Sequence, residues 1–330
     1  MLSIMAAGPL VSVVTPSYNF APFIGQGIES VLSQDYPRID YLVMDGGSTD
    51  GTLEILRRYE GRLRYVSVAD RGAADAINQG FGRCEGTIFA WLNADDFYLP
   101  GAVSAAVRAF LENPDADVAY GEAVWCDAAG RFVRSYPVRH PTREALHQDC
   151  CVCQPACFVR RSAFEKSGGL DATLECAFDH DFWIRLARDR TFVRVDKQLA
   201  ASRMHPGSKT LRDRRLVYRE AFRVYQRHYG HIPFPWIHGY CCNLVDGRDQ
   251  FYECPNPTLF KYLLSLPVGC WYDRRSMGRF LGEWSAVMNR GAFARWLSRT
   301  WPQNAAKAGS DRRWEARPLP SEVDRARGRD

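Results

Sequence analysis

The sequence predicts an α/β fold in which a doubly wound sheet is followed by a helical carboxyl-terminal extension. Between residues 10 and 113, short runs rich in β-formers alternate four times with segments whose apolar residues recur at helical spacing. The connections are short, and each predicted strand ends in a polar loop. Repeated strand–helix units of this kind are typical of a parallel, right-handed sheet.

Strands are predicted at residues 10–15, 39–44, 63–68 and 87–92, and helices at residues 23–33, 52–59, 73–83 and 101–113. After residue 115 the rhythm changes. A hairpin is predicted from 118–125 and 132–136, then a strand at 156–160, a helix at 178–188, a short strand at 193–195 and an exposed loop at 202–210.

Composition excludes several classes of protein. With 330 residues, 46% hydrophobic and 25% charged, the chain is ordinary globular, and its net charge of +5 does not indicate a nucleic-acid partner. The first ten residues lack the features of a secretory signal, and no run is long enough to span a bilayer. The 11 cysteines are then expected to be reduced thiols in a cytoplasmic protein.

A metal-diphosphate site is predicted at the end of the fourth strand. There Asn93, Asp95 and Asp96 meet water directly after a buried apolar run. Ligands of open α/β sheets bind outside the carboxyl ends of the strands. Carboxylates suit a hard cation such as Mg²⁺ or Mn²⁺, which usually shares its ligands with phosphates. No G-x-G-x-x-G motif follows a strand, which disfavours a classical dinucleotide site.

Five runs then carry a resemblance to a known family. VSVVTPSYN, VMDGGSTDGT, WLNADD, FDHDFWIRLAR and RMHPGSKT occur in this order between about residues 10 and 210. Together they resemble the inverting family-2 glycosyltransferases of the GT-A fold. The resemblance implies a Rossmann-like, doubly wound mixed sheet of the GT-A type. It divides the chain into a catalytic domain at 1–212, with a nucleotide-binding half at about 10–115 and an acceptor half at about 116–212, and an extension at 213–302.

The resemblance implies roles for the loop residues. A pocket for the nucleotide sugar would be formed by Pro16, Tyr18, Asn19, Asp45, Arg71, Asp75, Asn93, Ala94 and Lys209. Asp45 would accept hydrogen bonds from the base edge, but a role in capping a turn is the alternative. Asp75 would contact a sugar, or would simply lie on a helix surface. Related sequences carry an arginine where this chain has Ile77, so its phosphate contact would fall to Arg71 or would be absent.

The same resemblance implies a divalent cation, Mn²⁺ or Mg²⁺, bound by Asp95 with His205 as a further ligand or phosphate donor. The chain departs from the family pattern Asp-x-Asp because Asn93 replaces the first aspartate, which removes one negative charge. Asp96 would bind the water shell of the metal or cap the next helix. His205 as an ordinary surface-loop histidine is the alternative.

Asp179 aligns with the catalytic base of the family. In an inverting transfer one carboxylate must take the proton of the acceptor hydroxyl. Related sequences carry Glu-Asp at this helix start, whereas this chain has Phe178-Asp179. A helix-start anion without catalytic function is the alternative for Asp179. Asp181 is expected to support the acceptor side, and Gln154 to shape the sugar pocket there.

Two interpretations remain open for the region beyond residue 213. Between residues 271 and 301 arginines alternate with tryptophans, which suits the anionic inner face of a membrane and a lipid-linked acceptor. The alternative is a set of packed helices with a solvated basic face. Residues 303–330 are expected to be disordered. The predicted function is sugar transfer from a nucleotide-diphosphate donor to a glycan or lipid-linked hydroxyl acceptor. It would serve cell-surface polysaccharide assembly, with a sugar nucleotidyltransferase or a non-catalytic nucleotide-sugar-binding protein as alternatives.

Overall fold

The structure, a computed structural model, describes residues 8–253 and 255–287. The chain divides into two compact units between Met204 and His205. This division comes eight residues before the domain boundary expected at residue 212, which stays a prediction. The expected disordered tail at 303–330 lies outside the described residues.

In the described part of the first unit, nine strands form one mixed sheet in the order β3-β2-β1-β4-β8-β6-β9-β5, with β7 paired to β6. The strands are β1 (Val11–Ser17), β2 (Ile39–Asp45), β3 (Arg64–Ser67), β4 (Ile88–Trp91), β5 (Phe97–Tyr98), β6 (Val118–Cys126), β7 (Phe132–Ser135), β8 (Cys157–Arg160) and β9 (Phe192–Arg203). The helices are α1 (Ala21–Leu32), α2 (Thr52–Arg57), α3 (Ala73–Phe81), α4 (Ala102–Glu112), α5 (Arg143–Gln148), α6 (Arg161–Lys166) and α7 (Phe178–Leu186).

Strands β1 to β4 form the parallel half of the sheet. Val11 of β1 is in register with Ile39 of β2 on one side and with Ile88 of β4 on the other. The carboxyl ends of these strands therefore lie at one edge. Beyond β4 the sheet becomes mixed, because β8 runs antiparallel to both β4 and β6. The predicted doubly wound mixed sheet is confirmed.

The core explains why these segments form these elements. Every residue of β1 is buried, as expected for a central strand covered on both faces. Helix α1 buries Ile24, Ile28 and Val31, which recur at helical spacing on one face. Helix α3 approaches the sheet closely at Gly80, where an added Cβ would lie 2.6 Å from Val14 Cγ1. Glycine is therefore required for this helix–sheet contact.

One strand prediction was wrong in extent. The short strand expected at 193–195 is β9, which continues to Arg203 and so includes the start of the predicted loop at 202–210. It pairs with β6 along its length, and Ala200 and Ala201 pair with the two-residue strand β5. The polar residues of β9 interrupt the residue pattern from which a strand is predicted. The strand forms nevertheless, because partners distant in sequence hold it in the sheet.

The described residues of the second unit are helical. Its helices are α8 (Lys209–Arg212), α9 (Arg214–Tyr229), α10 (Phe234–Asp246), α11 (Leu259–Tyr272) and α12 (Met277–Val287). Its core is rich in aromatic side chains, among them Phe222, Tyr225, Phe234 and Phe280. Within the described helices, none combines the length and the apolar character needed to cross a bilayer.

A buried histidine joins three segments of this unit. His231 Nδ1 lies 2.5 Å from Asp273 Oδ2, and His231 Nε2 lies 2.8 Å from Glu283 Oε1. Asp273 Oδ1 also accepts hydrogen bonds from Gln226 Nε2 and from the Ile232 backbone N–H. Each nitrogen of the imidazole ring therefore contacts a carboxylate, one from Asp273 and the other from Glu283.

Candidate functional site

Asn19 connects two loops at the carboxyl edge of the sheet through hydrogen bonds. Its backbone adopts the left-handed conformation with φ of 59°, which asparagine tolerates better than most residues. The Asn19 N–H donates to Ser48 Oγ at 2.8 Å, and its Oδ1 accepts from the Thr49 N–H at 2.8 Å. The loop after β1 is therefore fixed to the loop after β2.

Asp45 lies at the centre of the second of these loops. Its carboxylate is buried and accepts from the backbone N–H groups of Gly47 and Ser48 at 3.1 and 3.0 Å. It also accepts from the hydroxyls of Ser48 and Ser67 at 2.5 and 2.6 Å. Three of these bonds end on Oδ2 and one on Oδ1, so Oδ1 has capacity for one further donor. The bonds to Gly47 and Ser48 fit the turn-capping alternative, and a contact between Oδ1 and a base edge stays a prediction.

The loop after β4 presents one carboxylate outward and one inward. Asp95 is partly exposed, whereas Asp96 is buried. Asp96 Oδ1 accepts from the Arg203 backbone N–H at 2.8 Å, and Asp96 Oδ2 lies 3.3 Å from Asn93 Nδ2. Burial, together with the nearby charge of Asp95, raises the pKa of Asp96. Asp96 does not cap α4, whose N-cap residue is Gly101, so that alternative was wrong.

Gln154 supports Asn93 from the neighbouring segment. Its Oε1 accepts from Asn93 Nδ2 at 3.0 Å, while its Nε2 donates to the Trp91 carbonyl at 2.6 Å. Gln154 is buried and orients Asn93, and its expected part in shaping the sugar pocket stays a prediction. Because Asn93 uses its amide nitrogen in these contacts, they do not engage its Oδ1.

Arg203, at the end of β9, holds the loop after β4 in place. It was not predicted from the sequence as a site residue. Its Nε donates to the Asp95 carbonyl at 2.7 Å, Nη1 to the Ala128 carbonyl at 2.8 Å, and Nη2 to Gln26 Oε1 at 2.6 Å. The guanidinium also lies 5.0 Å from the centre of the Phe23 ring. Arg203 belongs to the RMHPGSKT run. Because a loop was predicted there, the position of Arg203 on a strand was not expected.

The donor set of the loop after β4 fits a hard divalent cation. Asp95 offers a partly exposed carboxylate and Asn93 an amide oxygen, and hard cations prefer oxygen ligands. Within residues 8–253 and 255–287, no group of three or more His, Cys, Asp or Glu side chains is arranged to hold a metal. The metal-diphosphate site at Asp95 stays a prediction.

Asp179 lies in the first turn of α7, where it accepts a hydrogen bond from the His180 N–H at 2.7 Å. Burial of its carboxyl raises its pKa to about 6, although the residue keeps part of its surface exposed. The helix dipole and the hydrogen bond both favour the charged form, so desolvation outweighs them. A partly accessible carboxylate with a raised pKa is suited to accept a proton near neutral pH.

The start of α7 and the end of β4 converge on the segment at residues 150–157. The Trp183 ring of α7 stacks on Trp91 of β4 with centroids 5.5 Å apart. Burial raises the pKa of the Cys153 thiol, and the charges of both Asp96 and Asp179 raise it further. Both carboxylates are therefore within electrostatic range of one side chain. Cys153 itself is a free thiol.

Comparison with known proteins relates part of the first unit to a known family. Residues 12–168 match the family described as Glycosyl transferase family 2. We call this stretch the family-2 domain, after the family that it matches. An uncharacterized glycosyltransferase of Rickettsia prowazekii is 27% identical over 219 residues, which are 61% of this chain and 66% of that protein. Chondroitin synthase of Escherichia coli is 27% identical over 195 residues, or 57% of this chain and 28% of that protein.

Solved structures support the fold of the family-2 domain. Residues 1–349 of Staphylococcus aureus TarS in complex with UDP-GlcNAc give a TM-score of 0.57 at 16% identity, covering 91% of this chain and 92% of that chain. Mannosyltransferase PcManGT from Pyrobaculum calidifontis, in complex with GDP-Man and Mn²⁺, gives 0.54 at 18% identity, covering 91% of this chain and 86% of that chain. The expected GT-A type fold is therefore confirmed. The chain spans just under two thirds of the Rickettsia relative and about a quarter of the chondroitin synthase.

Several predicted nucleotide-site residues of the family-2 domain have structural partners. The Asp75 carboxylate pairs with Arg71 Nη2 at 2.9 Å and accepts from Gln79 Nε2 at 3.0 Å, so it orients Arg71, whose side chain is 80% exposed. Tyr18 is 59% exposed and available to a ligand. Pro16 and Ala94 are buried, so their side chains shape the loops from within.

Asp181 supports the domain from a buried position. Its carboxylate pairs with Arg185 Nε at 2.8 Å, and Arg185 donates to the carbonyls of Ser167 and Gly169 at 2.6 and 2.7 Å. Asp181 is fully buried, so this ion pair supports the fold from within, and its expected place on the acceptor side stays a prediction. His205 and Lys209 belong to the second unit, and their roles at the donor site remain predictions.

Proposed function

We propose that this chain transfers a sugar from a nucleotide-diphosphate donor to a hydroxyl acceptor, with inversion and with the help of a divalent cation. The observation that carries the proposal is that α7, which holds Asp179, packs on the end of β4 through Trp183 and Trp91, directly before the loop that holds Asp95. The family-2 match and the UDP-GlcNAc and GDP-Man bound by structural neighbours support a nucleotide sugar as donor.

Asp179 would act as the general base. An inverting transfer is an in-line displacement, so the acceptor hydroxyl must lose its proton on the face of the sugar opposite the leaving group. With a pKa of about 6, the Asp179 carboxylate is mostly ionised at pH 7 and is a stronger base than an ordinary aspartate. One such carboxylate is sufficient, so the absence of the family's preceding glutamate at Phe178 does not prevent the reaction.

Asp95 and the Asn93 amide oxygen would hold the cation. A bound Mn²⁺ or Mg²⁺ would neutralise the charge that develops on the departing diphosphate. Asn93 is kept in position by Gln154, and the backbone of Asp95 is kept in position by Arg203. Arg71, Lys209 and His205 are proposed to add positive charge or hydrogen bonds around the diphosphate. The acceptor is proposed to be a growing glycan or a lipid-linked sugar.

The test separates donor binding from transfer. Thermal stabilisation by a panel of nucleotide sugars, with and without Mn²⁺, identifies the donor. Asp95→Ala should remove the divalent-dependent part of that stabilisation. Asp179→Asn should retain it while lowering release of the nucleoside diphosphate by about 10²-fold or more.

Asp189→Asn is a matched control, because its carboxylate is 65% exposed and lies beyond the end of α7. It should behave as the wild type in both assays. Normal turnover by Asp179→Asn would refute the assignment of the base. Donor binding without any turnover in the wild type would instead favour the non-catalytic alternative, and release of pyrophosphate would favour a nucleotidyltransferase.

A further inference from the structure

The inward face of helix α11, in the second unit, is buried by packing contacts. Tyr262, Ser265 and Gly269 are buried at helical spacing. The Tyr262 ring stacks on Trp284 of α12 with centroids 4.6 Å apart, and Gly269 lies against the Phe280 ring. These contacts hold α11 to α12 and explain the inward face of the helix.

The opposite face of α11 is also apolar, yet it is exposed. Phe260, Leu263 and Trp271 are 64%, 47% and 76% exposed, and neighbouring Leu259 is 67% exposed. Together with exposed Pro267, they recur at spacings of three or four residues, so they form one stripe along the helix. We call Leu259, Phe260, Leu263, Pro267 and Trp271 the α11 stripe. A helix that is apolar on both faces normally buries both, so the stripe marks an interaction surface.

The charge that adjoins the α11 stripe is positive. Arg274 and Arg275 follow directly in a short 3₁₀ turn, and Arg279 follows on α12; all three are exposed. The acidic residues of the same segment, Asp273 and Glu283, bind His231 of the buried network. Arg279 Nε also lies 3.5 Å from Glu283 Oε1, so this guanidinium is paired. The surface next to the stripe therefore presents the guanidinium groups of Arg274 and Arg275, while the nearby carboxylates are engaged in holding the helices together.

We propose that the α11 stripe and its arginines bind an anionic lipid surface. Tryptophan and phenylalanine partition into the boundary between lipid headgroups and acyl chains. Arginine side chains beside them are attracted to anionic headgroups. A second copy of the chain is a poorer occupant, because pairing two such surfaces by a two-fold axis would bring the same arginines together. This property is independent of the proposed sugar transfer.

Flotation of the full chain with vesicles tests the proposal. The chain should float with phosphatidylcholine vesicles that contain phosphatidylglycerol and should remain unbound with pure phosphatidylcholine. Combining Phe260→Ser with Trp271→Ser should weaken binding at least tenfold, since it removes two large apolar side chains from the interface. Arg274→Gln and Arg275→Gln should each weaken it about fivefold, and added salt should do the same for the wild type.

Matched controls come from the first unit. Leu111→Ser replaces a 45% exposed leucine of α4, and Arg57→Gln replaces an exposed arginine of α2; both should bind as the wild type does. Equal melting temperatures would exclude unfolding of the variants. Absence of wild-type flotation, or unchanged flotation of the stripe variants, would overturn the proposal. A dimer in light scattering that Trp271→Ser converts to a monomer would also overturn it, because a second copy would then cover the stripe.

Discussion

Asp179 and Asp181 show how the same residue type acquires opposite properties two positions apart. Asp181 is fully buried, but its charge is matched by Arg185. Asp179 accepts a hydrogen bond from the His180 N–H, and burial nevertheless raises its pKa to about 6. The run FDHDFWIRLAR contains both carboxylates, and their positions on the helix alone do not indicate which is the base. The side chains that pack around each carboxylate determine this difference.

Asp179→Asn should stabilise the fold at neutral pH. Since the folded pKa lies about two units above that of an ordinary aspartate, keeping the carboxylate ionised costs on the order of 2 kcal/mol after allowance for partial exposure. The native state holds the proton more tightly, so wild-type stability falls as pH rises from about 4 to 6. The gain of the variant should therefore be full at pH 7 and vanish near pH 4. Urea unfolding at a series of pH values measures it.

Asp181→Asn is the contrasting variant. It leaves Arg185 without its buried partner, so it should lower the free energy of unfolding by roughly 3 kcal/mol at pH 7. If both variants change stability in the same direction, the distinction drawn between the two carboxylates is wrong.

At the scale of elements, β9 links the sheet to the candidate site. Its last residue, Arg203, reaches the loop after β4 through its backbone and its guanidinium. Neither the length of β9 nor this clamp could be predicted from local sequence, because both depend on pairing with β5 and β6. The loops after β1, β2 and β4 were predictable, since buried strands of the parallel half end at polar residues.

Arg203→Lys should weaken donor binding without removing positive charge. Lysine cannot reproduce contacts made at once by Nε, Nη1 and Nη2, so the loop that carries Asp95 loses its anchor. We expect about tenfold weaker divalent-dependent donor binding and a loss of roughly 2 kcal/mol in stability. Calorimetry with the donor and Mn²⁺ measures the first, and chemical unfolding the second.

Arg194→Lys on the same strand is the control for this clamp. Arg194 pairs with Glu122 where both side chains are 45% exposed, so its replacement should change stability by less than about 0.5 kcal/mol. Wild-type donor affinity in Arg203→Lys would show that the clamp does not position the donor loop.

Over the whole molecule, motif order predicted the fold better than it predicted individual roles. The strand ends at Asn19, Asp45 and Asp95 lie along the carboxyl edge as expected, because parallel strands order their own termini. The state of Asp45 was not readable, since Ser67, which donates one of its hydrogen bonds, comes from another strand. The burial of Asp181 and of Gln154 was not readable either, because it depends on how the elements pack in the folded chain.

The second unit should lose stability as pH rises. Burial alone would lower the pKa of His231, but its bonds to Asp273 and Glu283 outweigh burial and raise it. The stabilising contribution of the imidazolium is complete below about pH 6.5 and disappears as pH rises through the raised folded pKa. NMR titration of the His231 ring should give a pKa above 6.5. His231→Gln should remove this part of the pH dependence, and an unshifted titration would contradict the prediction.

The position of Arg203 at the end of β9 also limits how the protein can be shortened. A fragment cut to residues 12–168 would keep the stretch that matches the family yet lose α7 with Asp179, the guanidinium that anchors the Asp95 backbone, and the strand between β6 and β5. The minimal autonomous folding unit for the donor site must therefore extend past Arg203, and dissection experiments should begin from that length.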